Sequence, residues 1–303
     1  MKVFVTGGTG AIGRHAVPAL VKAGHDVTAV ARSDEKARSL SDQGATPVQV
    51  SIFDRPALAG VVAGHDAVVN IATHVPPTRR AASRAAWAEH DRIRREGSEA
   101  LAGAAEDAGV GRYVQEAITF TYPDRGDEWI DEDVPFDVAD PFGTAVAAEE
   151  SVRRFTEAGG TGVALRFGAF YGPGSEQTDM LVRMARRHVG FLIGQPGDYM
   201  SSIHLADAGG AVAAALSVPA GTYNVVDDEP VTKRELAAAI GEAVGARPWV
   251  HLPGRLTPLL MRGQPAAALL ARSQRVTNGR FRSASGWAPV YPSVREGFSE
   301  LVR

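Results

Sequence analysis

Apolar positions along the chain alternate between short continuous runs and helical spacing, starting near the N-terminus. Residues 2–6 form a β-branched and aromatic run followed directly by glycines, and residues 12–23 carry apolar positions at the spacing of an α-helix. The order then repeats, with a strand predicted over residues 26–31, a helix over 33–43 and a strand over 47–52. This part of the chain therefore predicts successive strand, turn and helix units.

The same alternation continues through the middle of the chain. It predicts a helix around residues 56–62, a strand at 67–72, a long helix over 81–108 and a strand at 112–117. Strands that alternate with helices predict a parallel sheet covered on both faces, with right-handed crossovers. The predicted fold class is therefore α/β, a Rossmann-type doubly wound parallel sheet.

The pattern becomes less regular after Tyr122. An acidic loop over residues 124–141 precedes a helix predicted at 143–158 and a strand at 162–167. Beyond Tyr171, glycine and proline are frequent and the elements are short, which predicts a smaller C-terminal substrate lobe. We expect a dinucleotide-binding domain over residues 1–170, with 201–226 returning to it, and a substrate lobe made of 171–200 and 227–303.

The glycine-rich turn after the first strand carries the most specific chemistry. Gly7, Gly10 and Gly13 fit the pattern G-x-x-G-x-x-G between a predicted strand and a predicted helix. Glycine permits the tight turn and lets backbone N–H groups approach a pyrophosphate, and the helix presents its positive N-terminus to that anion. These glycines, with Ala11 and Ile12, are predicted to bind a nicotinamide dinucleotide.

The end of the second predicted strand bears on the choice between NADP and NAD. In NAD-specific folds a carboxylate at this place accepts hydrogen bonds from the ribose hydroxyls. Here Arg32 and Ser33 follow the strand, and they suit an adenosine 2′-phosphate as bidentate partner and hydrogen-bond donor. Asp34 could still serve a ribose. NADP is therefore favoured, and NAD stays possible.

The composition limits the kinds of molecule that we expect the protein to bind. The 303 residues have a formal net charge of -3 and no long run of Lys or Arg, so neither nucleic acid nor an anionic membrane is expected. The absence of Cys excludes disulfides and thiolate chemistry, and the acidic loop lacks the register of a calcium loop, so no metal site is expected. A strand at the N-terminus leaves no room for a signal peptide. We therefore expect a cytoplasmic protein that acts on a small molecule.

Three motifs occur in an order typical of one family. They are the turn at residues 6–13, the segment VVNIAT at 68–73 and the segment RFGAFYGPG at 166–174. Together they resemble the extended or atypical short-chain dehydrogenase/reductases, the group that includes NAD-dependent sugar epimerases and dehydratases. The resemblance implies a cofactor along the C-terminal edge of the sheet, with Ser51 and Ile52 beside adenine and Ala72 beneath the cofactor.

The sequence differs from the family at the family's catalytic pair of residues. The family carries Tyr-x-x-x-Lys at the start of the helix after the long loop, where the tyrosine exchanges a proton with the substrate. Phe142 and Val146 stand at these positions, and neither side chain can transfer a proton. A displaced donor is therefore expected, and the candidates are Tyr122, His74 and Thr119.

Three further polar residues lie in the same region. Glu116 ends a buried-looking strand, where desolvation would suit it as an acid, although a partnered structural carboxylate is favoured. Tyr171 and His204 face the region where the family binds substrate, but a packed aromatic residue and a histidine bonded to backbone are favoured for them.

Three functions stay open on the sequence alone. The favoured one is an NAD(P)-dependent oxidoreductase or epimerase-like enzyme that acts on a small carbonyl or alcohol. The alternatives are a non-redox isomerase, cyclase or lyase on the same fold, and a cofactor-binding sensor without turnover. A homodimer through the two long helices is also possible.

Overall fold

A computed structural model of the chain describes the residues that carry most of these predictions. They are residues 1–76, 80, 83–137, 143–190, 193–246, 250–251 and 267–301. None of the helices within these ranges is long and apolar enough to cross a membrane.

A parallel sheet of seven strands forms the centre of the fold. Its strands are β1 (Lys2–Thr6), β2 (Asp26–Val30), β3 (Thr46–Val48), β4 (Ala67–Asn70), β5 (Arg112–Ile118), β7 (Thr161–Phe167) and β12 (Gly221–Val225). They lie in the order β12-β7-β5-β4-β1-β2-β3, and every neighbouring pair is parallel. The strand order reverses between β1 and β4, and the crevice beyond the carboxyl ends of strands at such a point is where open α/β sheets bind ligands.

Helices cover both faces of this sheet. They are α1 (Gly13–Lys22), α2 (Asp34–Asp42), α3 (Arg55–Val62), α4 (Ala88–Arg92), α5 (Ser98–Asp107), α6 (Gly143–Glu157), α7 (Glu176–Arg186), α8 (Leu205–Ala214) and α9 (Lys233–Ala243). Apolar residues of α1, α2 and α8 belong to one buried cluster, and those of α3, α5 and α6 belong to another. The predicted Rossmann-type doubly wound fold is confirmed.

The remaining strands are short and pair outside the central sheet. They are β6 (Trp129–Ile130), β8 (Ala169–Tyr171), β9 (Val189–Gly190), β10 (Tyr199–Met200), β11 (Ser202–His204), β13 (Val231–Thr232), β14 (Val250–His251) and β15 (Arg275–Val276). They form the pairs β8 with β11, β9 with β14, β10 with β13 and β6 with β15. Near the C-terminus, α7, α9 and the last helix, Val294–Leu301, share a cluster around Tyr171, Ile240 and Phe298.

Several elements differ from their predicted extent. Instead of one long helix over 81–108, the chain forms a 3-10 turn at Arg84–Trp87, then α4, a π-helical turn at Ile93–Gly97 and α5, and residues 81–82 lie outside the described part. The strand predicted over 47–52 ends at Val48. Within 201–226, β12 pairs with β7 of the main sheet, whereas β11 pairs with β8 in a separate two-stranded sheet.

Candidate active site and cofactor cleft

The glycine turn packs tightly against the end of β4. Gly7 has a φ of 79°, and a Cβ atom there would lie 2.4 Å from the carbonyl oxygen of Ile71. A Cβ atom at Gly13 would lie 2.2 Å from the oxygen of Gly7, whose carbonyl accepts a 2.9 Å hydrogen bond from the amide of Gly10. Side chains at Gly7 or Gly13 would therefore collide with backbone, and their absence leaves the backbone itself at the surface of the turn.

The start of α1 offers backbone donors to an anion. Ile12 is the N-cap residue of this ten-residue helix and makes no side-chain capping hydrogen bond. The amides of Ala11, Ile12 and Gly13 have no hydrogen-bond acceptor among the described residues. Free amides and the positive end of the helix dipole suit a pyrophosphate. The turn therefore fits the dinucleotide that the sequence predicts.

Arg32 and Ser33 follow β2 at the same edge of the sheet. Both are exposed, and the guanidinium of Arg32 makes no ion pair or hydrogen bond with any residue of the described ranges. The hydroxyl of Ser33 accepts a 3.4 Å hydrogen bond from the amide of Lys36 and so caps α2. Accepting this bond leaves the hydroxyl hydrogen of Ser33 available to a ligand.

Ser51, Ile52 and Ala72 follow the ends of β3 and β4. Ser51 is exposed, and its hydroxyl accepts a 3.3 Å hydrogen bond from the amide of Phe53. Ile52 is half-buried. Ala72 is also half-buried, and its amide donates to Oδ1 of Asn70 at 3.3 Å. The predicted cofactor positions therefore line the carboxyl edge of the sheet from β1 to β4.

A buried network of polar side chains joins the carboxyl ends of β1, β4 and β5. The hydroxyl of Thr6 donates to Oδ1 of Asn70 at 2.6 Å. The amide nitrogen of Asn70 donates in turn to Oε1 of Gln115 at 2.8 Å, and the hydroxyl of Tyr113 donates to the same oxygen at 2.7 Å. Satisfied buried networks of this kind fix neighbouring strands relative to one another. The network therefore fixes the positions of the strand ends that lead into the loops of the site.

A buried ion pair lies one residue further along β5. Nη2 of Arg94, from the π-helical turn, lies 2.7 Å from both carboxylate oxygens of Glu116, and both side chains are 3% exposed. Burial raises the pKa of Glu116, and the charge and hydrogen bonds of Arg94 oppose that rise. Nη1 of Arg94 is buried and has no acceptor among the described residues.

Hydrogen bonds connect the ion pair of Arg94 and Glu116 through His90 to the protein surface. Nε of Arg94 donates to Nε2 of His90 at 3.2 Å, and Nδ1 of His90 lies 3.2 Å from the hydroxyl oxygen of Thr73. Burial, followed by the charges of Arg94 and His74, lowers the pKa of His90 to about 3, so the ring is neutral. Because a guanidinium nitrogen can only donate, the single ring proton lies on Nδ1, which faces both the hydroxyl of exposed Thr73 and the backbone of His74.

Tyr122 and Thr119, two of the predicted proton donors, are enclosed. Tyr122 is fully buried, and its hydroxyl donates to Oδ1 of Asn224 at 2.9 Å and accepts from Nη1 of Arg166 at 2.6 Å. Burial raises the pKa of Tyr122 to about 12, against the effect of the Arg166 charge. Thr119 is 1% exposed within a 3-10 turn. Both hydroxyl groups therefore lie away from solvent in this conformation.

His74, the third predicted donor, is exposed. It lines a cavity of about 330 Å³ together with Pro76 and Glu89. Val146, which stands where the family has lysine, lies on α6 with 37% of its surface exposed. Phe142, at the tyrosine position, lies outside the described residues. His74 is thus the one of the three candidates whose side chain borders an open space.

Tyr171 and His204 contact each other, and their rings also contact Phe298 and Tyr291 near the C-terminus. The hydroxyl of Tyr171 donates to the carbonyl of Ser293 at 3.1 Å, and Nδ1 of His204 accepts from the amide of Ala206 at 3.3 Å. Burial lowers the pKa of His204 to about 4. His204 also borders a cavity of about 530 Å³, which Arg183 of α7 lines as well. Space for a ligand therefore also exists beside α7 and β11.

Thr73, His90 and Arg94 are absent from the candidates predicted from sequence. Two signals for them exist. Glu116 is a carboxylate inside an otherwise buried strand, which requires a compensating cation. His90 and Arg94 are four residues apart, so a helix places them on one face. Neither signal tells which arginine of this basic segment turns inward.

Comparison with known proteins agrees with this geometry. The sequence profile of the NAD dependent epimerase/dehydratase family matches residues 3–225. The chain is 33% identical to a 3-diazoavenalumate denitrifying reductase of Streptomyces sp, over 98% of this chain and 99% of that protein. It is 31% identical to a 4-hydroxy-2-methyl-3-oxo-4-farnesyl-3,4-dihydroquinoline-1-oxide ketoreductase of Stigmatella aurantiaca, over 82% of this chain and 74% of that protein.

A solved structure matches along the whole length. The human epimerase family protein SDR39U1, crystallised with NADPH, superimposes with a TM-score of 0.80 and 25% sequence identity, covering 100% of this chain and 99% of that one. The match therefore includes the glycine turn, the central sheet and the C-terminal elements. The chain belongs to the NAD dependent epimerase/dehydratase family and is an NAD(P)-dependent oxidoreductase or epimerase.

Proposed function

We propose that the chain is an NADPH-dependent reductase of a small electrophilic substrate such as a carbonyl compound. Arg32 carries this proposal. Its exposed guanidinium follows β2 without a partner among the described residues, at the place where NAD-specific folds hold a carboxylate. A guanidinium binds a phosphate with paired hydrogen bonds and always keeps its charge.

The relatives support this choice. The proteins of Streptomyces sp and Stigmatella aurantiaca are both named as reductases, and the human structure contains NADPH. Reduction of a diazo compound and reduction of a ketone share one requirement, which is transfer of a hydride to an electrophilic atom. We therefore place this chain among reductases of activated, electron-poor substrates.

The residues of the cleft have separate tasks in this proposal. The glycine turn and the amides of Ala11, Ile12 and Gly13 hold the pyrophosphate, and Arg32 with Ser33 holds the adenosine phosphate. Ser51 and Ile52 border the adenine, and Ala72 lies beneath the dinucleotide. When bound, the reduced nicotinamide supplies the hydride. The protein must then orient the substrate and supply a proton.

We propose His74 as the proton donor. It follows β4 immediately after the cofactor-binding segment, and its exposed side chain borders the 330 Å³ cavity. Imidazole is the side chain best suited to proton exchange in neutral solution. Tyr122 is less suited because Arg166 and Asn224 hold its hydroxyl, and Thr119 is less suited because it is buried.

Titration of the purified protein with NADPH, NADH and both oxidised forms tests the cofactor assignment, by nicotinamide fluorescence or calorimetry. We expect micromolar binding of the phosphorylated forms and clearly weaker binding of the others. Diacetyl and aromatic aldehydes then serve as carbonyl probes, with loss of reduced-nicotinamide absorbance as the signal. Conversion of a probe with no absorbance change and no internal recycling of the cofactor would contradict the reductase and favour a non-redox enzyme.

A further inference from the structure

A buried chain of hydrogen bonds ends at an exposed hydroxyl beside the cofactor-binding segment. Resting on the reductase function proposed above, we infer that the hydroxyl of Thr73 is the hydrogen-bond donor to the substrate atom that gains negative charge. Arg94 and His90 act through Thr73 and are positioning residues. This arrangement takes the place of the hydroxyl donor that the family's tyrosine would supply.

The directions of the hydrogen bonds carry the inference. Nε of Arg94 can only donate, so Nε2 of His90 is an acceptor and Nδ1 carries the ring proton. The hydroxyl oxygen of Thr73, 3.2 Å from Nδ1, therefore faces this proton as an acceptor, together with the backbone of His74. A threonine hydroxyl has one hydrogen besides its lone pairs, and no described residue accepts that hydrogen. The hydroxyl hydrogen of exposed Thr73 is thus left for a ligand.

The location of Thr73 matches this task. It follows Ala72, predicted to lie beneath the cofactor, and precedes His74, which borders the 330 Å³ cavity. Thr73 is exposed, whereas His90 and Arg94 are both buried. The chain of hydrogen bonds therefore runs from the protein interior to the surface at the end of β4.

The buried ion pair makes the donor stronger and keeps it oriented. A cation that donates to a neutral imidazole polarises the N–H on the opposite side of the ring, which in turn polarises the hydroxyl. Nη2 of Arg94 donates two hydrogen bonds to the carboxylate of Glu116, which holds the guanidinium in place and balances its charge, so the cluster can persist in a buried site. Nη1 of Arg94 stays buried without an acceptor among the described residues.

The chemistry balances without proton loss from Thr73. The carbonyl carbon of the substrate gains the hydride from the reduced cofactor, and the electron pair of the C=O π bond moves to oxygen. That oxygen accepts the hydrogen bond from Thr73 as its negative charge develops. His74 then supplies the proton that completes the alcohol, and Thr73 keeps its own hydrogen throughout.

Kinetics of Thr73 variants with NADPH and diacetyl test the role of the hydroxyl. Thr73→Val removes the hydroxyl with little change of shape, so we expect kcat to fall about 100-fold or more, with KM and NADPH affinity within about threefold. Thr73→Ser should restore most of kcat. Thr46→Val, at an exposed threonine on the opposite edge of the sheet, is the matched control and should keep wild-type kinetics.

Long-range nitrogen–proton NMR on protein with isotope-labelled histidine tests the chain of hydrogen bonds without turnover. We expect His90, identified by its loss in His90→Gln, to be neutral with its proton on Nδ1 at neutral pH, in wild type and in Thr73→Val. A proton on Nε2, a charged ring, or an unchanged kcat in Thr73→Val overturns the inference. Failure of NADPH to bind would instead contradict the proposed function, because the tautomer of His90 does not depend on the cofactor.

Discussion

Nη2 of Arg94 lies 2.7 Å from both carboxylate oxygens of Glu116, and each side chain is 3% exposed. The pair joins the π-helical turn to β5 through charges that neither partner could keep alone in the interior. It also holds the guanidinium that donates to His90, whose Nδ1 lies 3.2 Å from the hydroxyl oxygen of Thr73. The pair is therefore a determinant of both stability and site geometry.

Removing one partner of this pair should be costly. Glu116→Ala leaves the Arg94 cation buried and uncompensated, so we expect the free energy of unfolding to fall by about 3–5 kcal/mol. Glu96→Ala is the matched control, because Glu96 pairs with Arg92 in the same segment with side chains that are 60% and 49% exposed. It should cost less than about 1 kcal/mol. Urea unfolding of both variants measures the difference, and equal losses would contradict the importance of the buried pair.

Acidification should destabilise the protein through His90. The pKa of His90 falls from 6.5 to about 3 on folding, mainly through burial and then through the charges of Arg94 and His74. Between these values the unfolded chain binds a proton that the folded protein does not. The stabilising contribution of the neutral ring is therefore complete above pH 6.5 and is lost as the pH falls toward 3.

The variant His90→Gln should show a shallower loss of stability on acidification. The slope of unfolding free energy against pH should decrease by up to about 1.4 kcal/mol per pH unit, the limit for one proton. His204, whose pKa burial lowers to about 4, contributes equally to both proteins. Parallel stability curves for wild type and variant would show that His90 does not titrate in this way.

Close packing at the glycine turn predicts a difference between two glycines of similar backbone conformation. Gly7 and Gly24 have φ values of 79° and 84°, so alanine at either position has the same left-handed strain of about 1–2 kcal/mol. A Cβ atom at Gly24 meets nothing within 4 Å, whereas one at Gly7 would lie 2.4 Å from the oxygen of Ile71. We expect Gly7→Ala to cost clearly more stability in urea unfolding and to weaken dinucleotide binding. Similar stabilities for the two variants would contradict the packing described here.

The sequence predicts those parts of the fold whose signal is local. The run at Lys2–Thr6, the glycines after it and the apolar spacing of α1 lie within one short stretch, so pattern alone predicts strand, turn and helix. Alternation of such units is enough for the doubly wound sheet. The break of the predicted helix at Ile93–Gly97 was not predictable, because apolar spacing does not distinguish a π-helical turn within an otherwise helical segment.

The sequence pattern does not predict which side chains from distant strands become hydrogen-bond partners. The sequence predicts Tyr122 as a candidate donor because it follows β5. In the structure, its hydroxyl is hydrogen-bonded to Arg166 of β7 and Asn224 of β12. These partners depend on the strand order, which brings β7 beside both β5 and β12. The inward turn of Arg94 likewise depends on Glu116, a partner from a separate strand.

Cofactor affinity of Arg32→Ala tests the central claim most directly, namely that this enzyme uses NADPH. Measured by nicotinamide fluorescence, the variant should bind NADPH about 10- to 100-fold more weakly, the equivalent of losing charged hydrogen bonds, and NADH within about twofold of wild type. Arg234→Ala, which removes an exposed cation of α9, is the control and should change neither affinity. Equal affinities of wild type and Arg32→Ala for NADPH would contradict the assignment of Arg32 to the 2′-phosphate and, with it, the preference for NADPH.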